Sequence, residues 1–236
     1  MAIPSKVYIL KIDDKQSEEL ARVAARSCVD MGYNFEYFQG YKGSSKKAWQ
    51  EAKILSKLPK KLCKDKDDAA GCASIGHFAM WKKIAEGNDE CVIILEHDGV
   101  LLHRADVEIP DKLIVVLGYK IADITKYRHN EAGPPKELKD LPGGHAGAHA
   151  YAITKKTAQI LINEIIKHGE PMGVIDNSYF LKGRKTKVPI SIMLPTPAVG
   201  WIRGTTIWKK PSYLNYKFDK SFSKFYPAKQ EGQYYT

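Results

Sequence analysis

An α/β fold in a single catalytic-size domain is what this sequence predicts, on three observations. Apolar, largely β-branched runs recur at residues 7–12, 91–95 and 113–117, each short enough for a buried strand. Segments with apolar residues at helical spacing separate them. The chain is 236 residues long, enough for a substantial core and short enough for one domain with a small appendage.

Composition narrows the function. With 44% hydrophobic and 27% charged residues the chain falls in the globular range rather than the disordered one. No apolar run approaches the roughly 20 residues that cross a bilayer, and residues 1–6 lack the apolar segment of a signal peptide, so a cytoplasmic protein is expected. Cysteines 28, 63, 72 and 91 form no CxxC pair, which argues against structural zinc or a disulfide framework. The formal net charge is +10. From Lys182 onward eleven Lys and Arg face only Asp219 and Glu231, a net +9, so most of the excess lies in the last quarter. Such a surface attracts phosphate-rich partners and is compatible with peripheral membrane contact.

In chain order, residues 7–12 read as the first strand. Leu20, Val23, Ala24, Cys28 and Met31 then share one helical face, with Gly32 as the stop. Residues 34–38 are a second strand that closes a βαβ unit, followed by a turn holding Gly40 and Gly43. Residues 46–68 are Lys-rich, with a weak helical patch cut by Pro59, and are expected to form a mobile basic excursion. Residues 73–85 are helical and stack His77 and Trp81 on one face, four residues apart, as core support for the sheet. Residues 113–117 form another buried strand, and 120–142 a surface loop. A helix with Thr154 as N-cap buries Ala158, Leu161, Ile162, Ile165 and Ile166, and stops at Gly169. Pro171 to Asn177 lead a short helix, residues 188–194 form one more strand, and ten aromatic residues follow Gly200 in an irregular tail. The domain is drawn at 1–197 and the basic aromatic extension at 198–236.

There is no GxGxxG and no GxxxxGK[ST], which removes the usual dinucleotide and P-loop phosphate sites. A different device is suggested at Cys91-Val92-Ile93-Ile94-Leu95-Glu96-His97-Asp98, where a buried strand runs into acids. Alternate strand residues share a side, so Glu96 and Asp98 are expected to converge while His97 turns away. Two hard carboxylates suit magnesium or manganese beside a diphosphate, while a polar turn after a core strand is the plain alternative.

These residues resemble glycosyltransferase family 25, the lipooligosaccharide and collagen galactosyltransferase group. Leu95-Glu96-His97-Asp98 is similar to its "LEDD" signature, with His97 in place of the middle acid. Val7-Tyr8-Ile9-Leu10 with Gly43 resembles the opening strand and "DG". Cys72 to Trp81 is similar to "GCxxSHxxxW", with Gly76 where the family has serine. Gly147-Ala148-His149-Ala150-Tyr151-Ala152-Ile153 looks like "GTHAYLIS", and Val174-Ile175-Asp176 like "PVD". The resemblance spans about residues 6 to 181.

The resemblance implies a GT-A fold, a mixed and mainly parallel sheet flanked by helices, and an inverting transfer from a UDP-sugar. It places the nucleotide sugar near Ile12, Gly43, His77, Glu96 and His149, a manganese or magnesium ion at Glu96 and Asp98, and the base that deprotonates the acceptor at Asp176. On the residues alone, Asp176 reads rather as a helix N-cap and His149 as a structural histidine. Alternation of lysines and aromatics from Trp201 onward fits an anionic acceptor, either a lipooligosaccharide-type glycan or DNA bearing a hydroxylated base, while a solvated face whose aromatics pack the tail down is the plain alternative. A nucleic-acid-binding protein on a degenerate transferase scaffold is the alternative reading.

Overall fold

The computed structural model describes residues 1–52, 68–120, 133–142, 148–168, 175, 180 and 186–200. Strand β1 (Lys6–Lys11) leads into helix α1 (Lys15–Asp30), and β2 (Asn34–Gln39) returns parallel to β1, giving the expected βαβ unit. Asp14 caps α1, its Oδ1 accepting the amides of Gln16 at 3.0 Å and Ser17 at 3.4 Å. At the other end Gly32 takes the left-handed conformation, φ +70°, and the Arg104 guanidinium donates to the carbonyl of Met31 at 2.7 Å.

Helices α2 (Ser45–Ala52) and α3 (Asp68–Glu86) precede β3 (Cys91–Glu96), β4 (Gly99–Leu101), β5 (Ile114–Val116) and β6 (Gly118–Lys120). Then come β7 (Glu137–Asp140), β8 (Ala150–Thr154), α4 (Lys155–His168), β9 (Ile190–Leu194) and β10 (Ala198–Gly200). A seven-stranded sheet has the order β2-β1-β3-β8-β5-β9-β7, and β4-β10-β6 make a smaller sheet. In the large sheet β2, β1, β3, β5 and β9 run one way, while β8 and β7 oppose them. The sheet is therefore mixed and mainly parallel.

Both faces of the inner strands are covered, which is why β3, β5 and β8 are buried along nearly their whole length, while the edge strands β2 and β7 carry polar residues. Tyr8, Leu10, Val92, Ile94, Tyr151 and Ile153 share a core with α2, α3 and α4. Their neighbours Val7, Ile9, Ile93, Leu95, Ala150 and Ala152 pack with α1 on the opposite face. Glu96 continues the 92–94 alternation, so the strand directs it toward the α3 face.

Several expectations are corrected. The basic excursion begins as α2, where Trp49 is 2% exposed and packs on Phe78 with ring centroids 5.8 Å apart; residues 53–67 lie outside the described residues. The surface loop contains β7, a charged edge strand whose backbone pairs with β9. Residues 150–154, read only as the approach to a helix, form the central antiparallel strand β8. Thr154 does cap α4, its hydroxyl accepting the Thr157 amide at 3.2 Å, but Ile166 of the expected buried stripe is 54% exposed. Residues 198–200, assigned to the extension, are the middle strand of the small sheet. Among the described residues no helix is long and apolar enough to cross a membrane.

Candidate active site

The parallel strands β2, β1 and β3 end in register, Leu10 pairing with Phe38 on one side and Glu96 on the other. Their carboxyl ends form one rim, the usual ligand position of an open α/β sheet. Ile12 lies on that rim just past β1, its amide donating to Ser17 Oγ at 3.0 Å. The chain after β2 folds back over the rim, the Gly40 amide donating to the Lys11 carbonyl at 2.7 Å. Lys42 joins this turn to the start of α1 through Asp14 at 3.0 Å. Gly43 has φ +102°, a conformation that requires glycine, and its carbonyl accepts the Cys72 thiol of α3 at 3.4 Å.

Glu96 ends β3, and His97 and Asp98 form a turn into β4 at Gly99. Pleat alternation therefore stops at Glu96 and does not place Asp98 beside it; the turn sets their relationship. Asp98 is the more buried residue, at 9% exposure, while the Glu96 side chain keeps 20%.

A chain of hydrogen bonds reaches Glu96 from the core. His77 Nε2 lies 3.1 Å from Glu96 Oε1 and His77 Nδ1 lies 2.8 Å from the Tyr151 hydroxyl, which also accepts Trp81 Nε1 at 2.7 Å. Helical spacing puts His77 and Trp81 over the same strand, and register places Tyr151 directly opposite Ile94, two residues before Glu96. Burial pushes the Tyr151 phenol well above its ordinary pKa, so it keeps its proton. Three sequence motifs, on α3, β3 and β8, meet in this one contact.

His149 is fully buried. Its carbonyl accepts the Glu96 amide at 2.9 Å, and its ring packs on Gly200, where an added Cβ would stand 2.9 Å from Cδ2. It thus braces the end of β3 against β10. The sequence reading gave no part to Tyr151 or Gly99, although Tyr151 stands inside a quoted motif and Gly99 directly follows the acids. Asp176 lies outside the described residues, as does the tail from Trp201. Its flanking residue Ile175 is buried in the α3-side core, and Phe180 meets Tyr151 edge-on at 5.1 Å.

Carboxylate oxygens at a rim suit a hard divalent cation. Among the described residues no group of three or more His, Cys, Asp or Glu is placed to hold one. A magnesium-type site commonly takes only one or two carboxylates and completes its shell with water and substrate phosphates, so Glu96 and Asp98 fit that role in chemical type.

The model of glycosyltransferase family 25 (LPS biosynthesis protein) matches residues 6–175. Among solved structures, the chain is similar to the galactosyltransferase LgtC in complex with donor and acceptor sugar analogs, at 11% identity and TM-score 0.44, covering 97% of this chain and 99% of that one. It is also similar to a glycosyltransferase involved in glycosylation of the major capsid of PBCV-1, at 10% identity and TM-score 0.42, covering 86% and 95%. A third, the glycosyltransferase GlyE of Streptococcus pneumoniae TIGR4 in its apo form, shows 9% identity and TM-score 0.37, covering 71% and 38%. No curated protein sequence matches significantly. The mixed, mainly parallel sheet flanked by helices is the GT-A-like architecture that the sequence resemblance implied. With its model matched over well more than half the sequence, the chain belongs to glycosyltransferase family 25 and is a glycosyltransferase that uses a nucleotide-sugar donor.

Proposed function

We propose that the protein transfers a sugar from a UDP-sugar, with inversion, to a hydroxyl of an anionic glycan. The observation that carries this reading is Glu96 at the aligned ends of β1, β2 and β3, held from the core by His77 at 3.1 Å. In this reading the donor lies along the rim from Ile12 and Gly43 to Glu96. His77 and His149, both fully buried, shape the floor beneath it.

Glu96 and Asp98 would hold a magnesium or manganese ion. When bound, such an ion offsets the charge of a diphosphate leaving group. Inversion requires a base on the acceptor side that takes the hydroxyl proton as the donor bond breaks, and Asp176 is our candidate on the "PVD" match. The family description names lipopolysaccharide biosynthesis. An anionic glycan also suits the chain's +10 formal charge.

A thermal-shift panel of UDP- and GDP-sugars, with and without manganese, tests the reading, because a ligand of the native state raises its melting point. A UDP-sugar should give the largest rise, increased by manganese. A flat panel, with tight salt-sensitive binding to duplex DNA instead, would contradict it and favour a nucleic-acid-binding role.

A further inference from the structure

We propose that Tyr151 is a positioning residue for Glu96, acting through His77: the phenol donates to Nδ1 and fixes the histidine ring, and the Nε2–H on its other side holds the carboxylate at the rim. This rests on the reading of Glu96 as part of the donor site.

In a dry space the supply of donors and acceptors fixes the direction of each bond. Trp81, His77 and Tyr151 are all 0% exposed, whereas the Glu96 side chain is 20% exposed, so of the four only Glu96 reaches the surface. Indole N–H is a donor only, so at 2.7 Å the Tyr151 oxygen must accept from Trp81. Among the described residues the phenol's other partner is His77 Nδ1 at 2.8 Å, and of the two only that nitrogen can accept the phenol's proton. Neutral imidazole then carries its hydrogen on Nε2, where ionised Glu96, an acceptor only, lies 3.1 Å away. Every bond in the series thus points outward, from Trp81 through Tyr151 and His77 to Glu96.

The ring positions are packed as well as bonded. The Phe180 ring meets Tyr151 edge-on, with centroids 5.1 Å apart, and the His77 ring lies tilted 5.7 Å from it. Removing the phenolic oxygen leaves Nδ1 as a buried acceptor without a donor. Neither tautomer then has a phenol partner for Nδ1, so the ring loses the bond that fixes its angle, and the Nε2–H that holds Glu96 is no longer fixed in place. A fixed outer partner that sets a histidine's tautomer, and through it a ligand's orientation, is a known way of tuning a site.

Protein labelled with ¹⁵N-histidine reports the tautomer directly by long-range ¹H–¹⁵N correlation. The wild type should show His77 with Nε2 protonated and an unprotonated Nδ1 that accepts a hydrogen bond, and Tyr151→Phe should move the Nδ1 signal toward that of an unbonded nitrogen while Nε2 stays protonated. The same variant should raise the donor KM about tenfold with the acceptor KM unchanged. Trp81→Phe keeps the Tyr151–His77 bond, so its tautomer should match wild type and its donor KM should change by less than about threefold. A wild-type His77 protonated on Nδ1 would overturn the proposal even if Tyr151→Phe did not fold, and so would a Tyr151→Phe enzyme with wild-type donor KM. Unchanged transfer in Glu96→Gln would instead sink the donor-site reading, and it is distinguishable because the tautomer measurement does not depend on activity.

Discussion

Gly99 leaves room for the carbonyl oxygen of His149: a Cβ on Gly99 would lie 2.4 Å from that oxygen, which itself accepts the Glu96 amide at 2.9 Å. The turn carrying Asp98 is thereby pressed against the strand that carries Tyr151. Gly99→Ala cannot be absorbed by a flexible side chain, because the atom it meets is backbone. The substitution should destabilise the fold by about 1–3 kcal/mol, read from urea denaturation, and should lower transfer in the surviving folded fraction. An alanine variant within about 0.5 kcal/mol of wild type would show that the turn adjusts freely.

Trp49 anchors α2 beneath the rim turn. It is 2% exposed against Phe78, in a stretch whose lysines suggest a solvated excursion. Trp49→Ala should cost about 3–5 kcal/mol in chemical denaturation, the usual range for a buried aromatic. A loss below about 1 kcal/mol would mean that α2 contributes little to the core.

Acid should weaken the fold through three carboxyls held below their usual range: Asp14 by its hydrogen bond from Lys42, Glu36 by Lys83 and then Lys6, and Asp111 by the Thr154 hydroxyl. A depressed native pKa means the unfolded chain binds more protons. The stability is therefore present above the ordinary carboxylate value near about 4 and is lost as pH falls through the lower native values. All three groups are partly exposed, so solvent screening keeps each contribution small. Urea midpoints measured from about pH 7 down to about pH 3 should fall, and Glu36→Gln should flatten the slope. An identical pH dependence in that variant would remove Glu36 from the account.

Strands β1, β3, β5 and β9 were legible because both sheet faces are covered and their residues are accordingly apolar and β-branched. β8 was not, since Ala150 and Ala152 leave no such run, and its direction follows from pairing with β3 and β5 rather than from local pattern. β7 was hidden by Glu137, Lys139 and Asp140, which an edge strand tolerates and a buried one does not. At the site, the acids and the motif order could be read locally. The His77–Tyr151 bond could not, because it joins residues 74 apart whose meeting depends on how α3 lies over β8. Pleat alternation does not extend to Asp98, because β3 ends at Glu96.

Asp98 is the proposed cation ligand beyond the end of β3. It sits in the turn just past β3, 9% exposed, directly after His97. The decisive measurement is transfer from a radiolabelled UDP-sugar by wild type and Asp98→Ala, with far-UV circular dichroism as the control for folding. Asp98→Ala should lose more than about 100-fold in transfer with an unchanged spectrum. Wild-type transfer by a folded Asp98→Ala protein would contradict it.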